Sequence, residues 1–340
     1  ITKGNLMTTK APIKIVKGAK TYDLHLMWDL HHKCNFHCSY CSPGLNNGSV
    51  DLLRIDDLKG LIDRVVSHYK GVLGYKNILF SFTGGEPTLW KDFQELIVYA
   101  HEKGIHLGLT TNGSVGLNFW KRTSTFFDYI CLSYHAEFVD NDRFLSTFEY
   151  LHNQTETVVP SVRMMMHKER KYWDKAIEVL DKIKKFPNWT YECVYILDDY
   201  AKMSVHKTPY PSKEQEDFLK DNAFKSQFTD NSYVHLPSVL FDYQVEYAEG
   251  GIGKLDENVL INNNQVDFFG WQCNIGLESL FIDAEGSVYR SGCAPGKFTK
   301  TLGNIFDYKN IEFPVRPIFC STKEGCYCPT DIRIGKQKLF

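Results

Sequence analysis

The stretch WDLHHKCNFHCSYCSPG, residues 28–44, packs Cys34, Cys38 and Cys41 into eight positions. Four thiolates close a tetrahedral zinc or a cubane iron–sulfur cluster, whereas three leave one metal position open, and an open position is where chemistry happens. A zinc ion could recruit His31, His32 or His37 as its fourth ligand. Three free thiols in a loop are the bland alternative.

Working outward, the 340-residue chain has room for one large α/β domain and a smaller appendage. Its 39 basic and 41 acidic residues nearly cancel, so bulk charge gives no support to a nucleic-acid or anionic-membrane partner. No run of 18 apolar residues occurs, and the opening ITKGNLMTTKAP lacks the apolar core of a signal peptide, so a soluble, cytoplasmic protein is expected. Ten cysteines in such a chain point to metal or redox chemistry rather than a disulfide scaffold.

Apolar, β-branched runs alternate with helical-period stretches. Strands are expected at 23–30, 77–83, 106–111, 129–134, 158–166 and 191–197, with helices near 55–73, 91–103, 117–126, 139–153 and 171–186. Six βα repeats predict a parallel sheet, and the expected fold class is α/β: a partial (β/α)6 TIM-like barrel with a small C-terminal cysteine-rich β-hairpin domain. The expected division is an N-terminal extension 1–22, the barrel 23–200, a connecting segment 201–267 and the cysteine-rich domain 268–340. In this frame the cysteine triplet follows the first barrel strand and lies at the C-terminal rim, where barrel active sites are built.

Other suggestive residues fall at the same rim. SFTGGEPT (81–88) follows the second strand, with Gly84 and Gly85 permitting close backbone approach to a ligand and Glu86-Pro87 closing the turn. Thr111 and Asn112 end the third strand. Strand alternation puts Cys131, Ser133 and His135 on one face of the fourth, Arg163, Met165 and His167 on one face of the fifth, and Cys193, Tyr195 and Leu197 on one face of the sixth. The Met164–Met166 triplet reads as core packing.

The C-x3-C-x2-C spacing, with aromatic Tyr40 before the last cysteine, and the Gly-Gly-Glu-Pro one βα unit later resemble the radical S-adenosylmethionine (SAM) superfamily. The resemblance implies that Cys34, Cys38 and Cys41 bind a [4Fe-4S] cluster whose open iron chelates SAM, and that an electron from the cluster splits SAM to a 5'-deoxyadenosyl radical. It further implies that Phe36 and Tyr40 wall the cluster and adenine, that Gly84, Gly85, Glu86 and Pro87 bind the SAM amino group, that Thr111 and Asn112 touch SAM or substrate, and that Ser133 and Arg163 meet the ribose or carboxylate.

Near the other end, GWQCNIGLESLFIDAEGSVYRSGC (270–293) reads as a hairpin around Asp283–Gly286 and is followed by CSTKEGCYC (320–328). This resembles the SPASM and Twitch extensions that bind an auxiliary [4Fe-4S] cluster. Cys273 and Cys293 would then be joined by some of Cys320, Cys326 and Cys328. Five cysteines suit one auxiliary cluster, and a zinc ribbon is the alternative. The closing Cys-Tyr-Cys departs from the usual Cys-x2-Cys and leaves the downstream ligands open.

The resemblance implies hydrogen abstraction from an unactivated carbon. Only about 22 residues precede the first barrel strand, which is short for a leader-peptide-binding domain, so a small-molecule substrate is expected: a sugar, cyclitol or nucleotide derivative, oxidised or epimerised. A peptide-modifying maturase is the enzyme alternative, and a zinc- or iron–sulfur-binding regulator the non-enzyme one. His135, Glu137 and His167 are the candidate acid–base residues and Cys193 a candidate hydrogen donor. A reductase with flavodoxin, or a ferredoxin, is the expected electron donor.

Overall fold

The computed structural model describes residues 10–18, 22–41, 46, 48, 53–154, 158–196, 210–223, 225–227, 243–255, 257–292, 300–323, 325–326 and 329–339. After an N-terminal strand β1 (Pro12–Lys17), six strands carry the βα repeat: β2 (Leu24–Asp29), β3 (Ile78–Thr83), β4 (His106–Thr111), β5 (Tyr129–His135), β6 (Val159–Met166) and β7 (Thr190–Tyr195). All neighbouring pairs from β2 to β7 are parallel and in sequence order, as expected when each crossover is a helix. The connecting helices are α1 (Ile55–Val65, running on as a π-helical segment to Val72), α2 (Phe93–Glu102), α3 (Leu117–Thr123), α4 (Asn141–His152) and α5 (Arg170–Ile183).

Local sequence explains these elements. In α1 the buried Leu58, Leu61, Ile62 and Val65 recur at the i, i+3, i+4, i+7 spacing that gives one apolar stripe, and Asp56 and Asp57 sit at the positive end of the helix. Asp140 caps α4 by accepting the Arg143 amide at 3.0 Å. Along β2 burial alternates: Leu24, Leu26 and Trp28 are fully buried and join the helix-facing core, which leaves His25, Met27 and Asp29 on the lumen face. The same alternation commits Ile130, Leu132, Tyr134, Val162, Met164, Met166, Tyr191 and Cys193 to the helix layer, and so sends Cys131, Ser133, His135, Arg163, Met165 and Glu192 into the lumen.

Ten strands make one open sheet. Beyond β7 lies β8 (Lys225–Ser226), and beyond β2 lie three strands from the C-terminal region, β12 (Ser279–Ile282), β13 (Ser287–Tyr289) and β14 (Gly303–Asn304). The hairpin around Asp283–Gly286 is formed by β12 and β13, and β12 pairs parallel with β2. Hairpin and barrel therefore share a sheet, with β8 and β14 at its edges, so the barrel is incomplete.

A second, six-stranded sheet gathers distant pieces in the order β10 (Ile252–Lys254), β9 (Tyr243–Tyr247), β1, β16 (Lys336–Gln337), β11 (Gln272–Cys273) and β15 (Ile318–Phe319). It has its own core of Ile15, Val245, Leu255, Leu260, Val266, Phe268, Trp271 and Ile332. No helix among the described residues is long and apolar enough to cross a membrane.

Candidate functional site

The loops after β2 and β3 interlock at the C-terminal rim. The Gly85 amide donates to the His31 carbonyl at 2.7 Å and the Glu86 amide to the Lys33 carbonyl at 2.8 Å. A Cβ on Gly85 would lie 2.2 Å from the Lys33 carbonyl oxygen, and one on Gly84, whose φ is +114°, would lie 2.7 Å from that of His31. The space these glycines leave is thus filled by the backbone of the cysteine loop, a use the sequence reading, which expected a ligand there, did not foresee. Glu86 is fully buried and serves as a tie: its carboxylate accepts from the Thr88 amide (3.2 Å) and hydroxyl (2.6 Å), the Thr111 hydroxyl (2.7 Å) and the Asn112 amide (2.7 Å). Burial pushes this carboxyl up and the four hydrogen bonds act against it. Pro87 begins a short 3-10 turn that stiffens the exit.

The cysteine loop is braced on its other side by the ends of β5 and β6. Cys34 Sγ accepts from the Phe36 amide at 3.4 Å and lies 3.7 Å from Asn112 Nδ2, which also donates to Asn35. The Tyr40 hydroxyl is 2.8 Å from His135 Nδ1 and the two rings stack at 6.0 Å, while Cys38 Sγ is 3.6 Å from the same nitrogen. With the Tyr40 hydroxyl as donor, the His135 proton is assigned to Nε2. Phe36 meets the edge of His135 and stacks on Phe138. Glu137 takes the Ser39 amide at 2.7 Å as well as the Ser39 hydroxyl, and its Oε1 is 3.0 Å from His167 Nε2. His167 Nδ1 in turn accepts the Glu169 amide at 3.0 Å. Three residues picked as acid–base candidates are therefore tied to the cysteine loop.

Electrostatics follow burial. Burial, then the Arg163 charge, lowers His135 to about 4, with Glu137 opposing, so its imidazole is neutral at pH 7. Burial raises the thiols of Cys34 and Cys41 and pushes Cys38 up to about 12. A bound metal reverses that preference, because a coordinating thiol is deprotonated. Among the described residues no three His, Cys, Asp or Glu side chains converge on one ion.

Inside the lumen Ser133 is 5% exposed and is the register partner of Arg163, whose Nε hydrogen-bonds Glu192 Oε1 across to β7. Cys193 belongs to the apolar layer under the helices with Met164 and Met166, and the structure does not bring it to the site. Sequence reasoning missed Glu192, although the alternation that turns Cys193 outward turns Glu192 inward. It also missed Asp29, at the end of β2, which burial and then the charges of Asp283 and Glu285 raise to about 7.

Of the second cysteine group, Cys273 (5% exposed) lies on β11 opposite Ile318. The Cys320 amide bonds the Trp271 carbonyl and the Cys326 amide that of Val266, each at 2.8 Å, and both side chains pack on the second core. Burial raises the Cys273 thiol, Lys336 opposes the rise, and Cys320 adds to it, so these two thiols are electrostatic neighbours. Cys293 and Cys328 lie outside the described residues.

Comparison with known proteins agrees with this geometry. The model of the Radical SAM superfamily matches residues 29–200. The chain is similar to Fe-coproporphyrin III synthase of Methanosarcina barkeri, 34% identical over 107 residues covering 31% of this chain and 25% of that protein. It is also similar to the S-adenosylmethionine-dependent nucleotide dehydratase of Selenomonas ruminantium, 35% identical over 86 residues covering 25% of this chain and 28% of that protein. The chain thus spans about a quarter of the length of these curated relatives. Among solved structures, Streptococcus suis SuiB bound to S-adenosylmethionine aligns with a TM-score of 0.50 over 84% of this chain and 64% of that one, at 15% identity, a likeness of fold alone. With half of its length matched by the family model, the chain belongs to the radical SAM superfamily.

Proposed function

We propose that this protein splits SAM reductively and abstracts hydrogen from a small, polar substrate of the sugar, cyclitol or nucleotide class, leading to oxidation or epimerisation. The observation that carries the reading is the interlock at the barrel rim of Gly84–Pro87 with the loop that bears Cys34, Cys38 and Cys41. Cys34, Cys38 and Cys41 would hold a [4Fe-4S] cluster that, with SAM bound, would supply a 5'-deoxyadenosyl radical.

The chain's own residues do the rest. Phe36 and Tyr40 form the aromatic wall, and Phe36 stacks on Phe138. Backbone groups of Gly84 to Pro87 take the SAM amino group. Thr111 and Asn112 act through their ties to Glu86, and Ser133 and Arg163 take the ribose and carboxylate. His135 keeps Tyr40 upright, and Glu137 and His167, 3.0 Å apart, form the candidate acid–base pair. Cys193 has no part in this scheme.

An auxiliary [4Fe-4S] cluster on Cys273, Cys293 and members of Cys320, Cys326 and Cys328 belongs to the same proposal, with 23–200 as barrel, 201–267 as connector and 268–340 as a Twitch-like domain. The pairing of β11 with β15, which puts Cys273 opposite Ile318 two residues before Cys320, supports it. A flavodoxin or ferredoxin system would supply electrons in the cytoplasm. The name of the Selenomonas relative makes a nucleotide-like substrate the first to try.

The test is a panel of nucleotides, sugar phosphates and aminocyclitols added to reconstituted protein with SAM and dithionite. A substrate accelerates 5'-deoxyadenosine formation and yields a product two hydrogens lighter on oxidation, or, on epimerisation, a product of unchanged mass in H2O that is heavier by a single deuterium in D2O. Acceleration by peptides alone would overturn the small-molecule reading.

A further inference from the structure

Arg163 and Glu192 are register partners on β6 and β7, joined through Nε and Oε1, and both project into the lumen. Their side chains keep 41% and 32% of their area exposed, so the pair lines the open space of the barrel. Stability does not account for it. Ion pairs this open to solvent add little to stability, and a carboxylate is a poor strand residue.

A role in binding does account for it. A lone arginine carries rotamer entropy that must be lost when it grips a ligand; a fixed partner on the next strand has already removed part of that freedom. The five N–H donors of a guanidinium can serve two carboxylates at once. SAM carries a sulfonium, an ammonium and a carboxylate and so is a net cation, which an uncompensated arginine would repel.

We propose that Glu192 is a positioning residue for SAM: it holds the Arg163 guanidinium in the lumen and cancels its charge, so that Arg163 can meet the carboxylate of a ligand that is cationic overall. This rests on the reading of Arg163 as carboxylate partner given above.

The test is a double-mutant cycle on cluster-reconstituted protein, with SAM binding measured by anaerobic titration calorimetry for wild type, Glu192→Gln, Arg163→Gln and the double variant. Thermal midpoints and iron per chain are expected to match across the four. Glu192→Gln should weaken SAM about tenfold, Arg163→Gln at least as much, and the double variant no more than Arg163→Gln alone. Wild-type affinity in Glu192→Gln, or an equal further loss when it is added to Arg163→Gln, overturns the role of Glu192. Wild-type affinity in Arg163→Gln overturns instead the carboxylate assignment, and the inference falls with it.

Discussion

Gly85 and Lys33 are in backbone contact: the position a Cβ would take on Gly85 is 2.2 Å from the Lys33 carbonyl oxygen, and the next amide, that of Glu86, donates to that same oxygen. The cysteine loop and the Gly-Gly-Glu-Pro loop thus build one rim structure from two consecutive βα turns.

Gly85→Ala should force these loops apart. Overpacking of this kind costs about 1–3 kcal/mol, so the thermal midpoint should fall by several degrees. Because the strain falls on the loop that carries Cys34, iron retained after reconstitution should fall as well. A variant with wild-type iron content and midpoint would show that the rim yields without cost.

Asp29 gives a pH dependence with a definite sign. Its carboxyl is raised to about 7, first by burial and then by Asp283 and Glu285. The folded state therefore holds a proton that the unfolded chain releases near 3.8, so the cost to folding grows as pH rises from about 3.8 to about 7 and stays at its full value above that. Asp29→Asn should stabilise the protein by about 1–4 kcal/mol at pH 8, with little change near pH 4. Urea denaturation of both proteins at the two pH values checks this, and an equal gain at both would contradict it.

Cys193 sits in the helix-facing apolar layer. Cys193→Ala should leave SAM cleavage at the wild-type rate while lowering stability by about 1 kcal/mol, the cost of a small buried group. Loss of cleavage at unchanged stability would place the thiol in the chemistry after all.

Much of the barrel was legible because its signals are local. The runs at 77–83 and 106–111 became β3 and β4 within a residue, and the amphipathic stripe Leu58–Val65 fixed α1. The rim was legible because βα topology sends the end of every parallel strand to the same side, so Cys34, Gly84, Thr111 and His135 had to converge. What could not be read were contacts across large separations. Nothing near Tyr40 announces His135, 95 residues on, nor near Ser39 its partner Glu137, 98 residues away. The pairing of β1 with β9 and β16 joins three segments with no shared local signature. Glu192 is hidden in the sequence because it belongs to no motif and lies on the strand face opposite Cys193.

The most direct test is iron and acid-labile sulfide per chain after anaerobic reconstitution, for wild type and for Cys34→Ala/Cys38→Ala/Cys41→Ala. Two cubanes predict about eight irons falling to about four, with 5'-deoxyadenosine formed only by the wild type. Zinc in place of iron, or undiminished iron and SAM cleavage in the triple variant, would contradict the assignment of these three cysteines.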